Sequence, residues 1–173
     1  FATDGLAEGQ WGCAKSPPSL VTSFGDEGSD GILSFSEIAQ LRLNANLVVL
    51  SACDTASGIS EGQAQLAGQE EAGATLQGLV RAFLAANARA VLTTYWPISD
   101  EGESEALVTG FYRAGRTSDI ASALRTAQTE LMNQPKFSHP IYWGAFFVVG
   151  DASKSLLSGS ALAAVTASPS GGQ

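Results

Sequence analysis

Six consecutive residues, Leu47-Val48-Val49-Leu50-Ser51-Ala52, carry no charge and include two adjacent valines. A run this short and this apolar reads as a strand buried on both faces. Successive side chains leave a strand on alternate sides, and neither side here suits water. Ala90–Tyr95 and Gly144–Val149, the latter closed by Gly150, repeat the pattern. Between the first two runs, Leu76, Leu79, Val80, Phe83 and Leu84 recur at the spacing of one helix face. Between the second and third, two helices are expected. One starts near Asp100 with Glu103 as capping-box partner and carries Ala106, Leu107 and Phe111. The other follows Ser118 and aligns Ile120, Leu124, Ala127 and Leu131. Strand, helix, strand, helices, strand predicts an α/β fold: a mainly parallel sheet with helices on both faces.

Ser34 and Glu37 form a second capping-box signature ahead of a short helix through Leu41. From Ala152 the chain turns small and polar, which reads as a linker or tail over 152–173. With 173 residues the chain can form one domain that buries roughly 70% of its unfolded surface. It begins at Phe1 without Met or signal peptide, so it reads as a piece of a longer protein.

Charge narrows the function. The 9 Lys+Arg stand against 17 Asp+Glu, a net charge of -8, which disfavours nucleic acid as a partner. No basic amphipathic stretch and no long apolar run points to a membrane. The two cysteines, Cys13 and Cys53, make neither a metal pair nor a disulfide scaffold. A single histidine, His139, leaves little room for zinc or for most histidine-dependent chemistry.

Three segments invite a site. Asp26, Asp30, Gly31, Leu33 and Glu37 occupy positions 1, 5, 6, 8 and 12 of a calcium-binding EF-hand loop, with Ser34 at the ninth. Gly28 at the third position offers no side-chain oxygen, and the prolines at 17 and 18 oppose an entering helix. A solvated loop leading into a capped helix explains the same residues. Gly58-Ile-Ser60-Glu-Gly62 matches G-x-S-x-G, and Asp100 and His139 follow in α/β-hydrolase order. Ser60, however, lies several residues past the strand rather than on the turn that ends it. Third, Cys53 closes Leu50-Ser-Ala-Cys-Asp-Thr55 at the carboxyl end of a parallel strand, where open α/β sheets hold ligands. A buried structural cysteine is the competing explanation.

Longer stretches carry a family resemblance. Asp30–Ile38, Leu41–Thr55, Gly78–Leu84, Ala90–Asp100, Phe111-Tyr112, Ala123–Gln128 and His139–Gly150 resemble, in order and spacing, the CHAT domain over about residues 1–151. The resemblance implies a caspase-like, separase-related cysteine peptidase with a three-layer α/β sandwich. Such domains often follow tetratricopeptide repeats in cytoplasmic, bacterial, multidomain proteins. It implies a Cys–His dyad without metal or cofactor, with Cys53 as nucleophile. It also implies strands ahead of the histidine segment, so this chain is expected to lack the first strands of the sheet.

The family histidine lies in a segment reading roughly Phe-Ala-Thr-His-Gly, and this chain reads Phe1-Ala2-Thr3-Asp4-Gly5. Asp4 therefore stands where the general base belongs. Imidazole can take a thiol proton and return one to a leaving amine near neutrality. A carboxylate with an ordinary pKa of about 3.9 is a poor acid at pH 7. Beside a cysteine, it raises the thiol pKa by like-charge repulsion. The resemblance thus implies an impaired peptidase, with a non-catalytic protein-interaction module as the alternative and a Ser60 hydrolase behind both. By the same resemblance, Gly5 and Cys53 would offer backbone amides to an oxyanion. Asp54, Tyr95 and Trp96 would line the cleft for a protein or peptide substrate, and Asp54 would either favour a basic side chain or cap a nearby helix or loop.

Overall fold

The computed structural model describes residues 5–6, 19–22, 30–50, 70–96 and 102–156. In chain order these form β1 (Gly5–Leu6), β2 (Ser19–Val21), β3 (Ile32–Ser34), α1 (Phe35–Gln40), β4 (Val48–Val49) and α2 (Glu70–Ala85). There follow β5 (Ala90–Thr94), α3 (Glu103–Ala114), α4 (Ile120–Met132), a 3-10 turn (Pro135–Phe137), α5 (Pro140–Trp143) and β6 (Phe146–Gly150).

β5 is the centre of one sheet, with β4 parallel on one side and β6 antiparallel on the other. The parallel ladder continues one residue past β4, where the Leu50 amide donates to the Leu92 carbonyl at 2.9 Å. The antiparallel run of β6 departs from the mainly parallel sheet that the pattern predicts. Its cause is the connection. One crossover helix returns a chain to the start of a parallel neighbour, whereas a second helix brings it back to the carboxyl end. Here α3 and α4 are joined by the short turn from Gly115 to Asp119, so the next strand must run in the opposite direction.

β5 divides its side chains between two cores, as a strand covered on both faces must. Ala90 and Leu92 join Leu107 and Phe111 of α3 and Ile120, Ala123, Ala127 and Leu131 of α4. Val91 points the other way, into a cluster with Ile38 of α1, Leu79, Val80 and Phe83 of α2, and Leu20 of β2. Each large side chain so buried stabilises the fold by about 1.5–3 kcal/mol before entropy is counted. The helix stripes predicted from Leu79, Val80 and Phe83, and from Ile120, Leu124, Ala127 and Leu131, therefore face the sheet.

β1, β2 and β3 make a second, antiparallel sheet, with Gly5 opposite Leu20 and Leu20 opposite Leu33. α1 starts directly from β3 through the expected capping box. The Glu37 amide donates to Ser34 Oγ at 3.3 Å and the Ser34 amide to Glu37 Oε2 at 2.8 Å. α1 then packs on α2 where Gly78 leaves room, since a Cβ there would lie 2.7 Å from the Phe35 ring.

Of the expected Asp100–Glu103 box, Asp100 lies outside the described residues. Gly102, at φ +96°, is the N-cap, and Glu103 is the first helical residue, fully buried. Glycine takes the left-handed turn that a side chain resists, and the helix follows directly from it. Beyond β6, residues 152–156 lie on the start of α4. The carbonyls of Lys154 and Ala152 accept from the amides of Ile120 and Ala121 at 3.0 and 3.1 Å. The rest of the segment read as a tail lies outside the described residues.

Candidate functional site

The carboxyl ends of β4 and β5 lie side by side, and the expected cleft residues follow them in sequence. Past β4 the description stops at Leu50; Cys53 and Asp54 lie outside it, as does Asp4 ahead of β1. Gly5 is described as backbone in β1, paired across from Leu20. The Leu20 side chain packs in the same cluster as Val48 and Leu50. The short sheet that begins at Gly5 is thereby anchored to the strand that leads toward Cys53.

Beyond β5, Tyr95 and Trp96 leave the strand toward opposite faces, as its alternation requires. The Tyr95 amide still belongs to the ladder and donates to the Ala145 carbonyl at 3.0 Å. Its ring stacks on Phe147 with centroids 3.9 Å apart and planes at 19°. The side of that ring away from Phe147 is open, for Tyr95 is 60% exposed. Trp96 turns to the α3–α4 side, half-buried, and its indole Nε1 donates to the Ile141 carbonyl at 3.0 Å. The two aromatics thus form a wall at the end of the sheet, fixed by ring stacking on one side and a hydrogen bond on the other.

Sequence reasoning missed two polar features here. Thr93, one residue before the end of β5, is buried to 1% exposure, and its hydroxyl has no hydrogen-bond partner among the described residues. A threonine inside an otherwise apolar strand was the available signal. The second is His139, whose Nδ1 accepts from the Ile141 amide at 3.2 Å and caps α5, with Pro140 at the first helical position. A side-chain acceptor ahead of a proline is the sequence mark of such a start.

His139 thus makes a structural hydrogen bond through Nδ1. Ser60 and Asp100 lie outside the described residues, as do Gly58 and Gly62. The calcium reading of the acidic loop meets a direct competitor. Ile32–Ser34 is strand β3, and the Glu37 carboxylate accepts from both the hydroxyl and the amide of Ser34, bonds that hold its pKa below the ordinary range. Asp30 Oδ1 accepts from the Ile32 amide, and Asp26 and Gly28 lie outside the described residues.

Two more carboxylates are held low by hydrogen bonds, both away from the wall. Asp119 accepts from the amide and then the hydroxyl of Ser122 at the start of α4. Asp151 accepts from the hydroxyl and amide of Ser153, with smaller help from the charges of Lys154 and Arg89. No helix among the described residues is long and apolar enough to cross a membrane.

Comparison with known proteins adds the family. The family described as CHAT domain matches residues 1–151. Tetratricopeptide repeat protein 28 of Mus musculus is 33% identical over 143 residues, a match covering 80% of this chain and 5% of that protein. Tetratricopeptide repeat protein 28 of Homo sapiens is 29% identical over 182 residues, covering 88% of this chain and 7% of that protein. The chain thus corresponds to a small part of much longer repeat proteins.

Proposed function

The chain belongs to the CHAT domain family, and from that membership we propose a caspase-like cysteine-peptidase domain disarmed at its general base. The observation that carries the reading is the match over residues 1–151. It is supported by a parallel β4–β5 pair whose first strand leads toward Cys53 and whose second ends in the exposed Tyr95 and the anchored Trp96. The proposed architecture is a three-layer sandwich with helices on both faces of the sheet.

In a competent site of this kind, the Cys53 thiolate attacks the scissile carbonyl carbon. The resulting oxyanion would be held by the amides of Gly5 and Cys53. Its collapse breaks the C–N bond, the amine leaves with a proton from the general acid, and water then hydrolyses the thioacyl enzyme. Asp4 serves neither step. Ionised at pH 7, it has no proton for the leaving amine, and its charge opposes formation of the thiolate. Tyr95 and Trp96 would form one wall of the cleft, with Asp54 beside it. The substrate class is a protein or peptide, and the setting is cytoplasmic.

One observation favours a second reading, a non-catalytic module that engages a protein partner or positions attached repeats. Both relatives are named for tetratricopeptide repeats, and the matched region is 5% and 7% of their length. Hydrolysis of a fluorogenic peptide mixture separates the two. The unmodified chain is expected near background. Asp4→His is expected to raise turnover by roughly 100-fold or more, the scale of general acid–base catalysis, and Cys53→Ala in that background to remove the gain. A folded Asp4→His variant with no gain would move the reading to the interaction module. Turnover by the unmodified chain that survives Cys53→Ala would overturn both readings.

A further inference from the structure

α5 is only four residues long, yet it joins three elements. Gln128 of α4 donates through Nε2 to the carbonyls of Trp143 and Phe146, each at 3.0 Å. The Trp143 indole donates back to the Ser138 carbonyl at 3.3 Å, and the Gly144 amide closes the turn onto the Pro140 carbonyl at 2.7 Å. Gly144 is also where Trp96 comes close, since a Cβ there would lie 3.6 Å from the Trp96 ring and 2.8 Å from the Pro140 carbonyl. Ile141 is pinned at both ends of its peptide units. Its amide donates to His139 Nδ1 at 3.2 Å, and its carbonyl accepts from the Trp96 indole at 3.0 Å. The Ile141 side chain is 50% exposed and contributes little packing to hold the residue.

We propose that His139 is a positioning residue for Trp96: the neutral imidazole, capping α5 through Nδ1, fixes Ile141 so that its carbonyl holds the indole at the end of β5. That this indole lines a substrate cleft rests on the proposed function; that His139 governs its placement does not. The geometry requires Nδ1 to be an acceptor, so the proton of the neutral ring is on Nε2. Protonation turns Nδ1 into a donor facing the Ile141 amide and adds positive charge at a helix N-terminus, and both effects oppose the cap. The charged groups on the elements packed against α5 are Glu103, Glu105 and Arg113 of α3, Arg125 and Glu130 of α4, and Lys136 of the 3-10 turn. Glu103 among them is fully buried. His139 is the one histidine of the chain.

The test is the indole N–H cross-peak of Trp96 in the 15N-labelled chain, assigned with Trp96→Phe and followed from about pH 8 to about pH 5.5, either side of the imidazole range. In the unmodified chain the peak is expected to move between those pH values, since a proton on Nδ1 breaks the bond from the Ile141 amide. His139→Asn supplies another side-chain acceptor at the cap. Its peak is expected at the unmodified high-pH position throughout. His139→Ala is expected to show the displaced position already at high pH. A peak that ignores pH in the unmodified chain, stays put in His139→Ala, or moves equally in His139→Asn overturns the proposal. The readout is the indole environment and not turnover, so it stands or falls separately from peptide cleavage.

Discussion

Gly150 closes β6 at φ +109°, directly opposite Ala90. A Cβ at this position would lie 2.3 Å from the Arg89 carbonyl oxygen and 3.0 Å from Ala90 Cα, main-chain atoms just before and at the start of the central strand. Gly150→Ala therefore carries two costs. The left-handed backbone costs about 1–3 kcal/mol for a residue with a side chain. The overlap also forces β6 away from Arg89, weakening the 2.9 Å bond from the Asp151 amide to the same carbonyl, a loss of about 0.5–1.5 kcal/mol. Against this, alanine restricts the unfolded chain and returns about 0.4–1 kcal/mol. The net expectation is a destabilisation of about 2–3 kcal/mol, or roughly 5–10 °C in Tm for a chain of this size. Gly102→Ala is the internal control. Its φ is also positive, at +96°, but nothing lies within 4 Å of the new Cβ. Strain and poorer capping, less the same return from the unfolded chain, predict about 1–2 kcal/mol there. Thermal and urea unfolding should show the larger loss of free energy in Gly150→Ala. Equal losses would refute the argument from the Arg89 contact, and no loss in either would refute the argument from backbone strain.

Phe111→Ala should cost about 3–5 kcal/mol, because the ring is fully buried between α3, α4 and β5. Tyr112→Ala, at a half-exposed neighbour, should cost well under half of that in the same unfolding assay. The pKa of Asp119 is depressed in the folded chain, so its bonds to Ser122 stabilise the fold above the ordinary aspartate range of about 3.9 and weaken as pH falls through and below it. Asp119→Asn keeps a capping oxygen without the titration. Its Tm should match the unmodified chain at neutral pH and fall less between about pH 5 and about pH 2.5; an equal fall would reject the role.

What the sequence made legible was mostly local. The Ser34–Glu37 box is complete within four residues, and the structure forms both of its bonds. β5 and β6 announce themselves by composition, since a strand covered on both faces has nowhere to put a charge. The direction of β6 is not written in its residues, because it follows from the number of helices before it. The Asp100–Glu103 pattern is as good a local signal as Ser34–Glu37. Asp100 lies outside the described residues, where the structure has Gly102 as the N-cap and Glu103 buried as the first helical residue. The cap that His139 makes on the Ile141 amide was signalled only by an acceptor side chain ahead of Pro140. Cys53 and Asp4 drew their roles from family resemblance, for one cysteine after one strand says little about chemistry. Tyr95 and Trp96, named as cleft residues under the resemblance, stand at the carboxyl end of β5.

In the proposed function a carboxylate in place of the general base leaves Cys53 a poor nucleophile. The most direct measurement is the pH dependence of Cys53 alkylation, read by peptide mass spectrometry with Cys13 as the internal reference and Asp4→His alongside. Cys53 is expected to react slowly below pH 7 and no faster than Cys13, and Asp4→His to move its reaction to lower pH. Rapid alkylation of Cys53 below pH 7 in the unmodified chain, faster than at Cys13, would contradict it.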